Sequence, residues 1–215
     1  MPTTRIVLIR HGETAWNAER RLQGHIDIAL NAQGVRQAEA LADALAGERF
    51  DAIIASDLQR AHQTAQAVAR RHGMQVSTDP FLRERCFGGF EGLLYAEIEA
   101  RFPHQFKAWQ ARDIDSVMPP GARAGETFRQ FYDRCVSAIA SHAERHPGQT
   151  LALVAHGGVL ECAYRAALGL SLETARDFPV MNASINRFTV RAGKLVLESW
   201  GEVAHLQRGV LDELN

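Results

Sequence analysis

Cysteine is scarce in this 215-residue chain: Cys86, Cys135 and Cys162 are the only three. Three scattered thiols can neither staple a small disulfide framework nor complete a four-ligand zinc cage. The expectation for each is a small, buried, apolar side chain. None begins a Cys-x5-Arg phosphatase loop, because Gly92, Ser141 and Leu168 stand where the arginine would be. Long apolar runs are lacking too. Ile6–Ile9 falls short of the about 7–15 residues of a signal-peptide core, and nothing approaches the roughly 20 apolar residues of a membrane span. The expected place of the protein is the cytoplasm, with reduced thiols and no membrane partner. Neither charge sign is in excess, since 24 Lys+Arg stand against 25 Asp+Glu. That balance argues against a nucleic-acid partner, which calls for a basic surplus. There are nine histidines, yet no His-x-His or His-Glu-x-x-His spacing, so no metal is expected. His25, His62, His72, His104, His142, His146 and His205 are expected on solvated faces.

Short apolar runs alternate with helical patterns. Arg5–Arg10, Asp51–Ala55, Gln75–Thr78 and Thr150–Ala155 read as strands, the first and last apolar on both faces as buried parallel strands are. Asn31–Ala46 carries a helical stripe of Val35, Ala38, Leu41, Ala42 and Leu45, closed by Gly47. Helices are also predicted over Asp57–Arg71, over Glu126–His146 and from Gly157 to Leu168. Ser184–Val190 and Leu195–Trp200 read as a hairpin around Ala192-Gly193-Lys194. Residues 87–125, rich in Gly and Pro, look like an irregular lid-like insertion in a single domain spanning 1–215. Phe102, Phe106 and Trp109 there either pack the lid or line a pocket. This alternation implies an α/β sheet with helices on both faces, and such sheets bind ligands beyond the carboxyl ends of their strands.

At those ends stand Arg10-His11-Gly12, Ser56 followed by Arg60, and His156-Gly157-Gly158, while Glu84 follows the third strand. Arginine presents a planar fork to phosphate. Histidine can act as nucleophile, base or donor. Gly12, Gly157 and Gly158 let backbone N–H groups approach a ligand. The constellation reads as a phosphate-handling site.

Leu8-Ile-Arg-His-Gly-Glu-Thr14 resembles the signature of the histidine phosphatase superfamily, which includes the cofactor-dependent phosphoglycerate mutases. The resemblance continues through Asn17, Gln23-Gly24, Asp27, Leu30-Asn31, Gly34, Ser56–Ala61, Thr64-Ala65, Leu82–Glu84, Phe87-Gly88, Phe90–Gly92 and Val154–Gly158. It implies a three-layer α/β/α fold with a mixed, mainly parallel sheet and a lid. By analogy, His11 would attack phosphorus and form a phosphohistidine. Arg10 and Arg60 would clamp the phosphoryl oxygens, and His156 would donate to them. Glu84 would be the acid and then the base, its bland alternative being a salt bridge to Arg83 or Arg85. Asn17, Gln23, Gly24 and Gly157 would contact the substrate. Glu13 is expected to orient an arginine, and Thr14 to cap the next turn.

Two activities share such a site. Glu84 and His156 are only 72 positions apart with no Arg-Arg pair between them, and Phe87-Gly-Gly-Phe-Glu-Gly92 resembles the phosphatase branch. The expectation is a phosphomonoester hydrolase for a small phosphate ester, without cofactor, as a monomer or homodimer. The alternative is a phosphoglycerate mutase primed by 2,3-bisphosphoglycerate. A non-catalytic phospho-ligand sensor is disfavoured because His11 and Glu84 are both present.

Overall fold

In a computed structural model describing residues 2–206 and Asp212, six runs form one sheet. They are β1 Thr4–Arg10, β2 Ala52–Ala55, β3 Val76–Thr78, β4 Thr150–Ala155, β5 Ile185–Arg191 and β6 Lys194–Glu202. Their order across the sheet is β3-β2-β4-β1-β5-β6. The first four are parallel, β5 runs antiparallel to β1, and β6 antiparallel to β5. The helices are α1 Ala15–Glu19, α2 Ala32–Leu45, α3 Gln59–His72, α4 Tyr95–Arg101, α5 Pro103–Gln110, α6 Phe128–Arg145 and α7 Gly157–Leu168. The mixed, mainly parallel α/β architecture is the expected one.

Side chains alternate across a strand, so each central strand feeds two cores. Ile6 and Leu8 of β1 join Leu151 and Leu153 of β4 against α6 and α7. Val7 and Ile9 join Ala152 and Val154 against α2 and α3. Burial on both faces explains why these runs show no polar alternation. Each fully buried Leu or Ile contributes roughly 1.5–3 kcal/mol. Because β4 lies between β1 and β2, the helices after β1 and β2 cover one face and α7 covers the other. The crevice opens where those connections diverge, beyond the ends of β1 and β4.

Local chemistry sets the helix ends. The Asn31 side chain accepts from Gly34 N at 2.8 Å to cap α2, and Thr127 and Gln130 form a capping box on α6. Gly73 and Gly169 close α3 and α7 in the left-handed conformation. Gly47 does not close α2: the helix ends on right-handed Ala46. Val35 lies off the buried stripe and is 49% exposed.

Residues 87–125 are more regular than the Gly and Pro content suggested, since they contain α4 and α5. Glu97 accepts from Leu94 N at 2.8 Å to start α4, and Pro103 occupies the first turn of α5, where a missing N–H costs nothing. Phe87, Phe102, Phe106 and Trp109 pack with buried Leu22, Phe90, Ile98 and Met118 in a third core. All three cysteines are free and buried. The histidines depart from expectation. Of the seven placed on solvated faces, only His104 is exposed, and His142 is buried, donating from Nε2 to Asp79 at 2.7 Å.

Leu41→Ala removes a fully buried α2 side chain and is expected to cost about 2–5 kcal/mol. Val35→Ser on the same helix should stay within roughly 0.5 kcal/mol. Urea unfolding of both variants checks the placement, and equal losses would contradict it.

Candidate active site

The end of β1 is held on three sides before its side chains are considered. His11 N donates to Ala155 O at 3.0 Å, and its carbonyl accepts from Asn182 Nδ2 at 3.0 Å and Ala183 N at 3.2 Å. The His11 ring then bonds its own neighbour, Nδ1 to Gly12 O at 2.6 Å. A carbonyl only accepts, so Nδ1 carries the proton and Nε2 keeps its lone pair. Burial, followed by the charges of Arg60 and Arg10, holds this ring's pKa well below its ordinary 6.5.

Arg10 is buried and donates from Nη1 to Val180 O at 2.6 Å. Arg60 enters from the first turn of α3. Its Nε donates to His156 Nδ1 at 3.2 Å, and its Nη1 and Nη2 donate to the carbonyls of Ile26 and Gly24 at 3.0 and 2.8 Å. Since His156 Nδ1 accepts, its proton sits on Nε2, which donates to Ser56 Oγ at 2.8 Å. In this structure the ring nitrogens of His156 thus serve Arg60 and Ser56. Burial first, then Arg60 and His11, lower its pKa well below 6.5. The two histidine rings stand edge to face with centroids 5.1 Å apart.

Glu84 is clamped by backbone: Oε1 accepts from Arg85 N at 2.8 Å and Oε2 from Gly158 N at 3.0 Å. A Cβ on Gly158 would collide with Glu84 and Phe131, so glycine lets α7 approach the carboxylate this closely. Arg83 forks onto Asp57 at 2.7 and 2.6 Å. The expectation that Glu13 orients an arginine is replaced by Oε1 accepting from Asn31 Nδ2 at 2.7 Å. Thr14 caps α1 as expected, and Asn17 Oδ1 reciprocates by accepting from Thr14 N at 3.0 Å. Thr14 Oγ1 also donates to Gln23 Oε1 at 3.0 Å.

A cleft of about 30 Å³ brings together Arg10, His11, Asn17, Gln23, Gly24, Arg60 and Glu84, with Trp16, Arg21, Leu22, Phe87 and Asp212 completing its walls. His156 reaches this centre through Arg60, and Gly157 lies buried beside it at the start of α7. The site also uses residues that sequence reasoning missed. His25 donates from Nε2 to the Glu84 carbonyl at 2.8 Å and from its backbone to Glu91 at 2.9 Å. Asn182 and Val180 hold β1 from a loop with no recognisable pattern. A second cavity of about 100 Å³ adjoins the cleft, sharing Leu22, Glu84 and Phe87. Trp109 lines it as well as packing the lid, so both roles weighed for that residue are filled. Among the described residues, no group of three or more His, Cys, Asp or Glu is arranged to hold a metal.

The lowered pKa values set a sign. A folded histidine with a depressed pKa stabilises the fold above its ordinary 6.5, and that contribution is lost as pH falls toward the folded value. By histidine NMR, the His11 and His156 rings should remain neutral at about pH 6, where an ordinary histidine is mostly protonated. A midpoint near 6.5 for either ring would contradict this electrostatic picture.

Comparison with known proteins agrees with the geometry. A family model described as the histidine phosphatase superfamily (branch 1) matches residues 6–203. The phosphoglycerate mutase-like protein 4 of Arabidopsis thaliana is 38% identical over 94% of this chain and 86% of its own length. A metal-independent phosphoserine phosphatase of the same plant is 38% identical over 94% and 83%. Bacillus stearothermophilus YhfR superposes with a TM-score of 0.86 at 33% identity, covering 95% of this chain and all of its own. The chain belongs to branch 1 of the histidine phosphatase superfamily.

Proposed function

We propose that the protein is a phosphomonoester hydrolase that works through a phosphohistidine on His11. Nε2 of the neutral ring attacks phosphorus, and the ester P–O bond breaks as Glu84 hands a proton to the leaving oxygen. Water then attacks the phosphohistidine while Glu84 takes its proton, releasing inorganic phosphate and the free ring. Arg10 and Arg60 face the charge that develops on the equatorial oxygens, held in place before reaction by Val180, Ile26, Gly24 and His156. Asn17, Gln23, Gly24 and Gly157 are the proposed substrate contacts, and no metal or cofactor is invoked, because the two guanidinium groups supply the neutralising charge.

One observation favours hydrolysis over phosphoryl return to an acidic acceptor. The insertion contributes Phe87 to the catalytic cleft and none of its four cations, Arg101, Lys107, Arg112 and Arg123. Arg101 is exposed and pairs with Glu97, Arg123 donates to the His25 carbonyl, and Arg112 is spent on Glu161. The lid therefore offers no adjacent pair of cations to retain a phosphorylated acid over the phosphoenzyme. The relatives carry names from both sides, one mutase-like and one phosphatase.

The deciding experiment follows phosphate release and 2-/3-phosphoglycerate interconversion in one enzyme sample, with EDTA present and with or without a 2,3-bisphosphoglycerate primer. Phosphate release from a panel of small esters, unaffected by chelator or primer, is expected to exceed interconversion. Primer-dependent interconversion much faster than release from every ester would place the protein among the mutases.

A further inference from the structure

Glu84 is carried by a stretch of chain that cannot hold itself. Residues 83–87 belong to no helix or strand, so their backbone carbonyls must find donors elsewhere in the fold. One side chain serves two of them and a third just upstream. Arg134 of α6 donates from Nη1 to the carbonyls of Phe81 and Arg83 at 2.8 and 3.0 Å, and from Nη2 to that of Glu84 at 3.2 Å. The guanidinium is itself pinned. Its Nε and Nη2 donate to the two oxygens of Glu126 at 2.7 and 2.8 Å, and Glu126 Oε2 also accepts from Cys86 N at 2.9 Å. The Glu126 backbone N–H donates to the Cys86 carbonyl at 2.8 Å. The Arg134–Glu126 pair therefore grips the segment on both sides of Glu84. The two side chains are only 16% and 21% exposed, which separates them from the surface salt bridges that contribute little.

The grip extends to the carboxylate. The Arg134 guanidinium carbon stands 5.1 Å from the centre of the Phe131 ring. That buried ring bounds Gly158, whose N–H donates to Glu84 Oε2. Backbone and carboxylate of Glu84 are thus located by one layer running from Arg134 through Phe131 to Gly158. Arg134 lines neither the catalytic cleft nor the cavity beside it, so its effect on turnover passes through the backbone it holds.

We propose that Arg134, locked by Glu126, is the positioning residue for proton transfer. It fixes the main chain of Glu84 so that the carboxyl group stands at the leaving oxygen and, in the second step, at the attacking water. The proposal rests on the hydrolase reading above and adds to it a group remote from the substrate. Proton transfer is sensitive to such placement, since a shift on the order of 1 Å in a catalytic group costs about 100-fold.

Phenyl phosphate and p-nitrophenyl phosphate test this, because they share a ring but differ in how far the leaving oxygen depends on a proton. For each, kcat/KM reports formation of the phosphohistidine. In Arg134→Gln it should fall about 10–100-fold for phenyl phosphate and less than about threefold for p-nitrophenyl phosphate. Arg134→Lys, which keeps the charge but loses the fork, should fall between wild type and Arg134→Gln. Glu84→Gln should show the same unequal losses. Adding Arg134→Gln to it should leave the ratio between the two esters unchanged, because groups that act through one step are not additive. A merely structural role would lower both esters alike and would multiply with Glu84→Gln. Should Arg134→Gln not fold, Glu126→Gln gives the same readout, since it leaves the arginine in place but unpinned. Equal losses in Glu84→Gln, or no ester hydrolysed by the wild type, would remove the hydrolase reading itself. Unequal losses in Glu84→Gln beside equal losses, or none, in Arg134→Gln would overturn the role of Arg134 alone.

Discussion

Two buried histidine rings beside two buried guanidinium groups, all four held by hydrogen bonds, are the constraint on which the rest of the centre depends. Were either ring to bind a proton, a third positive charge would be buried within reach of Arg10 and Arg60. Desolvation and those charges act in the same direction on both rings. The hydrogen bonds then select the tautomers. The Gly12 carbonyl fixes the His11 proton on Nδ1, and Arg60 together with Ser56 fixes the His156 proton on Nε2. The ring lone pair of His11 then lies on Nε2. His156 is tied through Nδ1 to Arg60 and through Nε2 to Ser56.

This arrangement follows from the sheet. Placing β4 between β1 and β2 sets His11 and His156 just beyond the ends of adjacent strands, with Ser56 at the end of β2 and Arg60 in the first turn of α3. Glu84 reaches the same point from the connection after β3 and is seated by the N-terminus of α7 through Gly158 N. The adjoining cavity is walled by Phe87, Trp109 and Phe128 together with Arg85, Arg112 and Glu161. The two cavities meet at Leu22, Glu84 and Phe87.

Much of this was legible before any coordinates, for physical reasons. A strand buried on both faces leaves an unbroken apolar run, and its end is marked by an abrupt change to Arg-His-Gly or His-Gly-Gly. What the sequence hid is long-range. Asn182 bonds the His11 carbonyl across 171 positions, from a loop with no periodicity. Arg85 reads as a partner for Glu84 because the two are adjacent, yet their side chains diverge, Glu84 toward Gly158 and Arg85 toward Phe87 and Phe128. Arg112 reads as one of four scattered lid cations, and only its contact with Glu161 49 positions away removes it from the count. The solvated histidines failed for a related reason. Pattern alone does not separate an exposed ring from one like His142, whose burial is offset by a carboxylate on a distant turn.

The central claim is that His11 Nε2 becomes covalently phosphorylated during turnover. Rapid quenching in base with a ³²P-labelled ester, followed by peptide mapping, tests it most directly. The account predicts acid-labile, base-stable label on the peptide carrying His11, forming and decaying fast enough to support turnover. Steady phosphate release with no label on that peptide, or with label on another residue, would contradict it.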